Sequence, residues 1–131
     1  MSGIAEFRTT VLDCANPREL AEFYSRLLGW PILDGDDTEA DQDDDDWVVV
    51  TSGGSPARLA FQKADDYRPP VWPSADHPQQ AHIDVTVGDL DKAEAEVLEI
   101  GATKHEHQPS EDGSFRVFLD PAGHPFCLCV A

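Results

Sequence analysis

The chemistry available to this chain starts with a histidine and an aspartate two residues apart. In His82-Ile83-Asp84-Val85-Thr86-Val87, polar and apolar side chains alternate strictly. In an extended strand, that order sends His82, Asp84 and Thr86 to one face and Ile83, Val85 and Val87 to the other. Polar groups on that face would be costly in an unrelieved core, so His82 is read as lining a pocket and as the candidate catalytic residue. Asp84 is placed to orient the imidazole or stabilise its charge, a pairing that tunes a general base. It reads equally as an exposed strand residue.

The other candidates carry less. His105 and His107 flank Glu106 and imitate a two-histidine clip, but Lys104 and Gln108 surround them and no third ligand is evident; a surface strand or loop is the better reading. His124, in Gly123-His124-Pro125, makes a turn, and His77 carries no separate signal. The three cysteines, Cys14, Cys127 and Cys129, form no C-x-x-C motif and read as reduced thiols. Cys127 reads first as a small apolar residue packed in the last strand. Trp30, Trp47 and Trp72 fall at a helix exit, a strand start and a proline-rich segment, where scaffold ends converge on sites; Trp72 is taken as a pocket wall. There is no Gly-x-Ser-x-Gly, phosphate loop or dinucleotide fingerprint, and Gly53-Gly54 reads as a hairpin turn.

An internal repeat positions these residues. Asn16 caps a helix that opens with Pro17, carries Leu20, Phe23, Tyr24, Leu27 and Leu28 on one face, and stops at Gly29. Asp89 caps a second, with Leu90, Ala93, Val97 and Ile100 on one face and Gly101 as its stop. A strand feeds each helix, Phe7 to Leu12 and His82 to Val87. A hairpin follows each: Trp47 to Thr51 and Arg58 to Lys63 about Ser52-Gly53-Gly54, then Phe115 to Leu119 and Pro125 to Val130 about Asp120-Pro121-Ala122-Gly123. The expected fold is α+β, two tandem β-α-β-β-β modules pairing into one curved, cupped sheet assembly with a shared pocket, all in a single domain over residues 1–131. Module one runs from about 4 to 64, a Pro-rich linker from 65 to 80, and module two from about 81 to 131. The acid-dense stretch Asp34 to Asp46 lacks the order of a calcium loop and is expected to be a solvated insertion.

These features carry a resemblance. The paired halves, with Asn16-Pro17 through Phe23-Tyr24 to Leu27-Leu28-Gly29 and Asp120-Pro121-Ala122-Gly123 before the last strand, resemble the vicinal-oxygen-chelate superfamily, which includes glyoxalase I, bleomycin-resistance proteins, fosfomycin-resistance enzymes and extradiol dioxygenases. Pro70-Val71-Trp72-Pro73, His82-Ile83-Asp84-Val85 with Gly88-Asp89-Leu90, and Pro125-Phe126-Cys127-Leu128 look like its glyoxalase-like subgroup. The resemblance is specific for fold and weak for function, since one scaffold hosts many chemistries. In the metal-dependent members, His, Glu or Gln ligands come from the first and last strand of each half. Seven residues before Asp89 stands His82, and seven before Asn16 stands Thr9, a poor ligand. Seven residues past Asp120, where the metal enzymes usually carry Glu, stands Cys127, and the matching strand of the first half offers Gln62. A metal, if present, would fall to His82, Gln62 and Cys127, with the thiol shifting preference toward zinc or copper.

The resemblance then implies three readings. The first is a glyoxalase-like protein that binds a small, partly apolar molecule in the pocket between its modules, with no cofactor and no tightly bound catalytic metal; Thr9, Trp30, Gln62, Trp72, Asp84 and Cys127 are its ligand-binding candidates. The second is a lyase, isomerase or dioxygenase of the superfamily using a divalent metal. The third is metal-free acid/base catalysis through His82. The superfamily also implies a homodimer.

Composition excludes several classes. Twenty-six acids against nine bases give a formal net charge of −17 over 131 residues, which repels phosphate backbones and argues against a nucleic-acid partner. No window approaches the length and apolarity of a membrane span and the first residues lack a leader pattern, so a soluble, cytoplasmic protein is expected.

Overall fold

The computed structural model describes residues 3–4, 7–33, 46–53, 58–74, 76–79 and 81–130. The expected insertion Asp34 to Asp46 lies outside the described residues except for Asp46, as does Gly54 of the first hairpin turn. Among the described residues there are two helices and two four-stranded mixed sheets, the tandem β-α-β-β-β plan. The chain divides into two compact units, Met1–Tyr67 and Arg68–Ala131.

In the first unit, β1 (Thr10–Cys14) leads into α1 (Pro17–Leu28), then β2 (Ile32–Leu33), β3 (Trp47–Thr51) and β4 (Arg58–Lys63), with sheet order β1-β4-β3-β2. The Asn16 side chain accepts from the Glu19 N–H at 3.2 Å, and Gly29, at φ 73°, gives its N–H to Ser25 O. Those end groups satisfy orphan backbone polar groups. α1 buries Leu20, Ala21, Phe23 and Tyr24 against one face of the sheet, where Tyr24 stacks on Phe61 with centroids 5.6 Å apart. Leu12, Cys14, Val48, Val50, Leu59 and Phe61 are the buried strand residues of this face.

The first strand lies further along than its apolar residues indicate. Instead of Phe7 to Leu12 it covers Thr10–Cys14, because β1 pairs in parallel with β4, Thr10 opposite Leu59 through Cys14 opposite Lys63. Phe7 falls outside that ladder and is 65% exposed.

The second unit repeats the plan with β5 (Ile83–Val87), α2 (Leu90–Glu99), β6 (Thr103–Lys104), β7 (Phe115–Leu119) and β8 (Pro125–Val130), in order β5-β8-β7-β6. Asp89 caps α2 by accepting from the Lys92 N–H at 3.1 Å, and Gly101 follows at φ 119°. Only Val97 of the α2 stripe is fully buried; Leu90, Ala93 and Ile100 are half-buried. One face of the sheet meets α2 through Arg116, whose guanidinium gives one N–H to Glu94 at 2.8 Å and one to Asp91 at 2.9 Å, and through Lys104, 3.3 Å from Glu94. Phe118, Phe126 and Leu128 share that face and are buried.

Asp120 anchors the β7–β8 turn. It is 4% exposed, and its Oδ1 accepts from the N–H groups of Ala122 (2.9 Å) and His124 (3.0 Å). At the open side of β7 a side chain takes the place of a strand. Val117 donates its N–H to Gln108 Oε1, and its carbonyl accepts from Gln108 Nε2, both at 2.9 Å. The expected linker over 65–80 spans the unit boundary. From Arg68 onward it groups with the second unit, where Val71 donates to His77 O and His77 Nε2 lies 3.1 Å from Arg68 O.

Candidate functional site

Parallel pairing of β5 with β8 sets Asp84 opposite Cys127 and Thr86 opposite Cys129. Directly paired residues point to the same face of a sheet, so these four share the face turned away from α2. His82 sits one residue before β5, two from Asp84, and its Nε2 lies 3.3 Å from Asp84 Oδ1. His82 and Asp84 are exposed, whereas Cys127 behind them is 7% exposed. One ligand atom from each of His82, Asp84 and Cys127 lies within 4.8 Å of the others.

The thiol registers these surroundings. Burial, the Asp84 charge and a hydrogen bond to Asp84 push Cys127 up to about 12, and burial with the Asp84 charge raises Cys129 as well. Both causes disfavour the thiolate.

The same row continues across the sheet. Cys127 pairs with Val117 of β7, and the His105 N–H donates to Val117 O at 3.1 Å, extending the β6 ladder by one residue. His105 accepts the His107 N–H at Nδ1 (2.9 Å), so its proton is on Nε2, which donates to Trp72 O at 2.8 Å. The Trp72 ring meets His105 and His107 at centroid distances of 5.0 and 5.2 Å. The two histidines therefore seat the tryptophan, a role that sequence spacing does not reveal; only the flanking prolines draw attention to Trp72.

The remaining candidates lie in the first unit. Gln62, exposed, stands on the sheet face away from α1, paired with Asp13 on one side and Trp47 on the other. The Thr9 hydroxyl lies 3.2 Å from Thr10 O and 3.3 Å from Arg58 O, so it has backbone partners. Trp30 is half-buried. The register also revises one equivalence. Val11 pairs with Ala60 as Asp84 pairs with Cys127, so Ala60 is the first-unit counterpart of Cys127, and Gln62 corresponds to Cys129. Thr9 and Ala60 thus stand in the first unit where His82 and Cys127 stand in the second.

A hard cation such as magnesium or manganese, bound through oxygen-rich ligands from both halves, does not fit these residues. Among the described residues, His82, Asp84 and Cys127 are the group whose nitrogen, oxygen and sulfur atoms lie close enough together to hold a metal ion.

Comparison with known proteins agrees with the topology. A search of curated proteins finds no match. Among solved structures, a glyoxalase/bleomycin resistance protein/dioxygenase family enzyme from Burkholderia phytofirmans superposes with a TM-score of 0.68 at 14% identity, over 96% of this chain and 98% of that one. The fosfomycin resistance protein FosX from Mesorhizobium loti gives 0.67 at 15% identity over 97% and 92%. A possible glyoxalase from Bacillus cereus gives 0.64 at 13% identity over 96% and 99%. At these identities the likeness is one of fold. The model of the glyoxalase-like domain family matches residues 9–129, nearly the whole chain, and with the two β-α-β-β-β units it shows that this protein belongs to the glyoxalase-like family of the vicinal-oxygen-chelate superfamily.

Proposed function

We propose that this protein binds a small, partly apolar molecule on the α2-free face of its second sheet, with His82 and Asp84 as the polar groups that meet it. The observation that carries the reading is the exposed His82–Asp84 pair, 3.3 Å apart, set over the buried Cys127. Exposed polar groups over an apolar floor are the arrangement by which small-molecule sites fix orientation while apolar contact supplies affinity. In a catalytic version, the imidazole beside Asp84 accepts a proton from the bound molecule. Sequestration requires only the binding.

The test is a ligand screen by native mass spectrometry on protein purified without added metal, repeated with His82→Ala. Loss of captured ligand with little change in melting temperature is the expected outcome, since removing an exposed imidazole leaves no dry cavity. A variant several kcal/mol less stable yet unchanged in ligand capture would reject the reading.

A second reading is favoured by the approach of His82, Asp84 and Cys127 within 4.8 Å. These three would hold a zinc ion, which when bound supplies Lewis-acid polarisation of a substrate oxygen. Elemental analysis separates the readings: metal below one equivalent supports the first, and stoichiometric zinc that is lost on Cys127→Ser supports the second.

A further inference from the structure

We infer that the face of the first sheet turned away from α1 binds a small organic monoanion, a carboxylate on an apolar body that also carries an amide, with Arg58 as the group that takes the charge. The inference goes beyond the second-sheet reading and does not depend on it, since every residue it uses lies in the first unit. The register supplies the layout. Val11 pairs with Ala60, and Gln62 pairs with Asp13 on one side and Trp47 on the other. Alternation along β4 puts Arg58 and Gln62 on the face of Ala60, opposite to Leu59 and Phe61, which are buried beneath α1. Val11 is thus diagonal to Arg58 in one direction and to Gln62 in the other, a relation that sets Cβ atoms about 7–8 Å apart. Val11 is 38% and Trp47 41% exposed, Gln62 is exposed and Arg58 half-buried, so all four are reachable from solvent.

Arg58 is the member that points to a ligand. Arg116, the half-buried base of the second sheet, holds both Asp91 and Glu94. Arg58 is half-buried too, yet among the described residues no acceptor meets its guanidinium, although the chain has 26 acids to nine bases. Partial burial takes water from a charge, and an arriving counter-ion offsets that loss. The guanidinium N–H groups form a fork that fits both oxygens of a carboxylate, and charge-assisted pairs of this kind are the strong ones. The chain's own acids leave that fork open to one supplied from outside.

The neighbours fix which way the molecule lies. Gln62 is four residues along β4 from Arg58, about 13 Å at ~3.3 Å per residue. Asp13 stands beside Gln62, so a second negative group is repelled at that end. The Gln62 amide both donates and accepts, and Trp47 next to it offers a flat apolar surface. The carboxylate therefore goes to Arg58, the apolar body over Val11, and the amide with any ring toward Gln62 and Trp47. The formal charge of −17 opposes an anion at long range. At about 0.15 M salt the Debye length is ~8 Å, so remote acids are screened while direct contact with Arg58 is not.

Three probes test this on the full chain by amide-shift titration in nuclear magnetic resonance: the anion N-benzoylglycinate, its uncharged amide N-benzoylglycinamide, and the cation benzamidine. The anion should bind one to one, at least about tenfold more tightly than either of the others, as one charge-assisted contact implies. Arg58→Gln should weaken the anion about tenfold and leave the uncharged amide unchanged. Gln62→Glu, which sets a second carboxylate at the far end, should also weaken the anion. Arg26→Gln, which removes a positive charge from an exposed position on α1, should leave it unchanged and so exclude a general effect of net charge. The dispersion of the same spectra establishes that each variant folds. Equal affinity for the anion and its uncharged amide, no effect of Arg58→Gln, an equal effect of Arg26→Gln, or no saturable shift up to about 10 mM would each overturn the inference.

Discussion

Asp84 stands between an imidazole and a thiol, and each neighbour supplies a measurement. With Cys127 at about 12, almost none of this thiol is ionised at pH 8, so alkylation by iodoacetamide should be far slower than for an unfolded control. Asp84→Asn removes the second and third causes of the shift and should accelerate the reaction, though burial, the largest cause, remains. Mass mapping of the modified peptide checks both. The same shift has a stability consequence with a definite sign. A folded-state pKa raised above the unfolded value means that the native state holds the proton longer, so the contribution is fully present below about 9 and is lost as pH rises toward about 12. Urea unfolding over that window should lose midpoint more steeply in the parent than in Cys127→Val. The alternation through His82 and Asp84 was legible in the sequence because it is local. The equivalence drawn between Gln62 and Cys127 was not, because it depends on which residues face one another across strands, and only the ladder aligns Ala60 with Cys127.

At the level of elements, the β7–β8 turn carries two sharp expectations. Asp120→Ala leaves the Ala122 and His124 N–H groups without their acceptor and should cost about 1–3 kcal/mol of unfolding free energy. Gly123 sits at φ 88°, and a Cβ there would stand 2.6 Å from Pro69 Cβ, part of a rigid ring. Gly123→Ala should therefore cost at least about 2 kcal/mol, combining backbone strain with overlap; a change below a few tenths would mean that the Pro69 segment moves aside freely. Both helices and their caps follow from Asn16-Pro17, Gly29 and Asp89, since capping depends on residues only a few positions apart. The strands β2 and β6 escaped because two residues have no period. β1 was displaced because Phe7 mimics a strand start, whereas the partner β4 decides where pairing begins.

For the molecule as a whole, the charge of −17 is a repulsive load that the folded state concentrates. Raising sodium chloride from about 10 mM to 1 M shortens the Debye length from roughly 30 Å to 3 Å, and the melting temperature should climb along the way. A flat profile would mean that the acids are already matched by local partners, as Asp91 and Glu94 are by Arg116 and Lys104. Gln108 bears on the fate of many molecules together. β6 pairs with Phe118 and Leu119 of β7 and the His105 N–H reaches Val117 O, which leaves the Val117 N–H as a donor that a strand from another copy could adopt. The Gln108 Oε1 accepts that N–H, while its Nε2 adds a second donor to Val117 O, and this closes that invitation. Gln108→Ala leaves the Val117 N–H without its acceptor, so it should cost about 1–3 kcal/mol of unfolding free energy and shorten the time before concentrated solutions form thioflavin-positive aggregates, so that a single side chain acts as the terminus of a polymer that never starts.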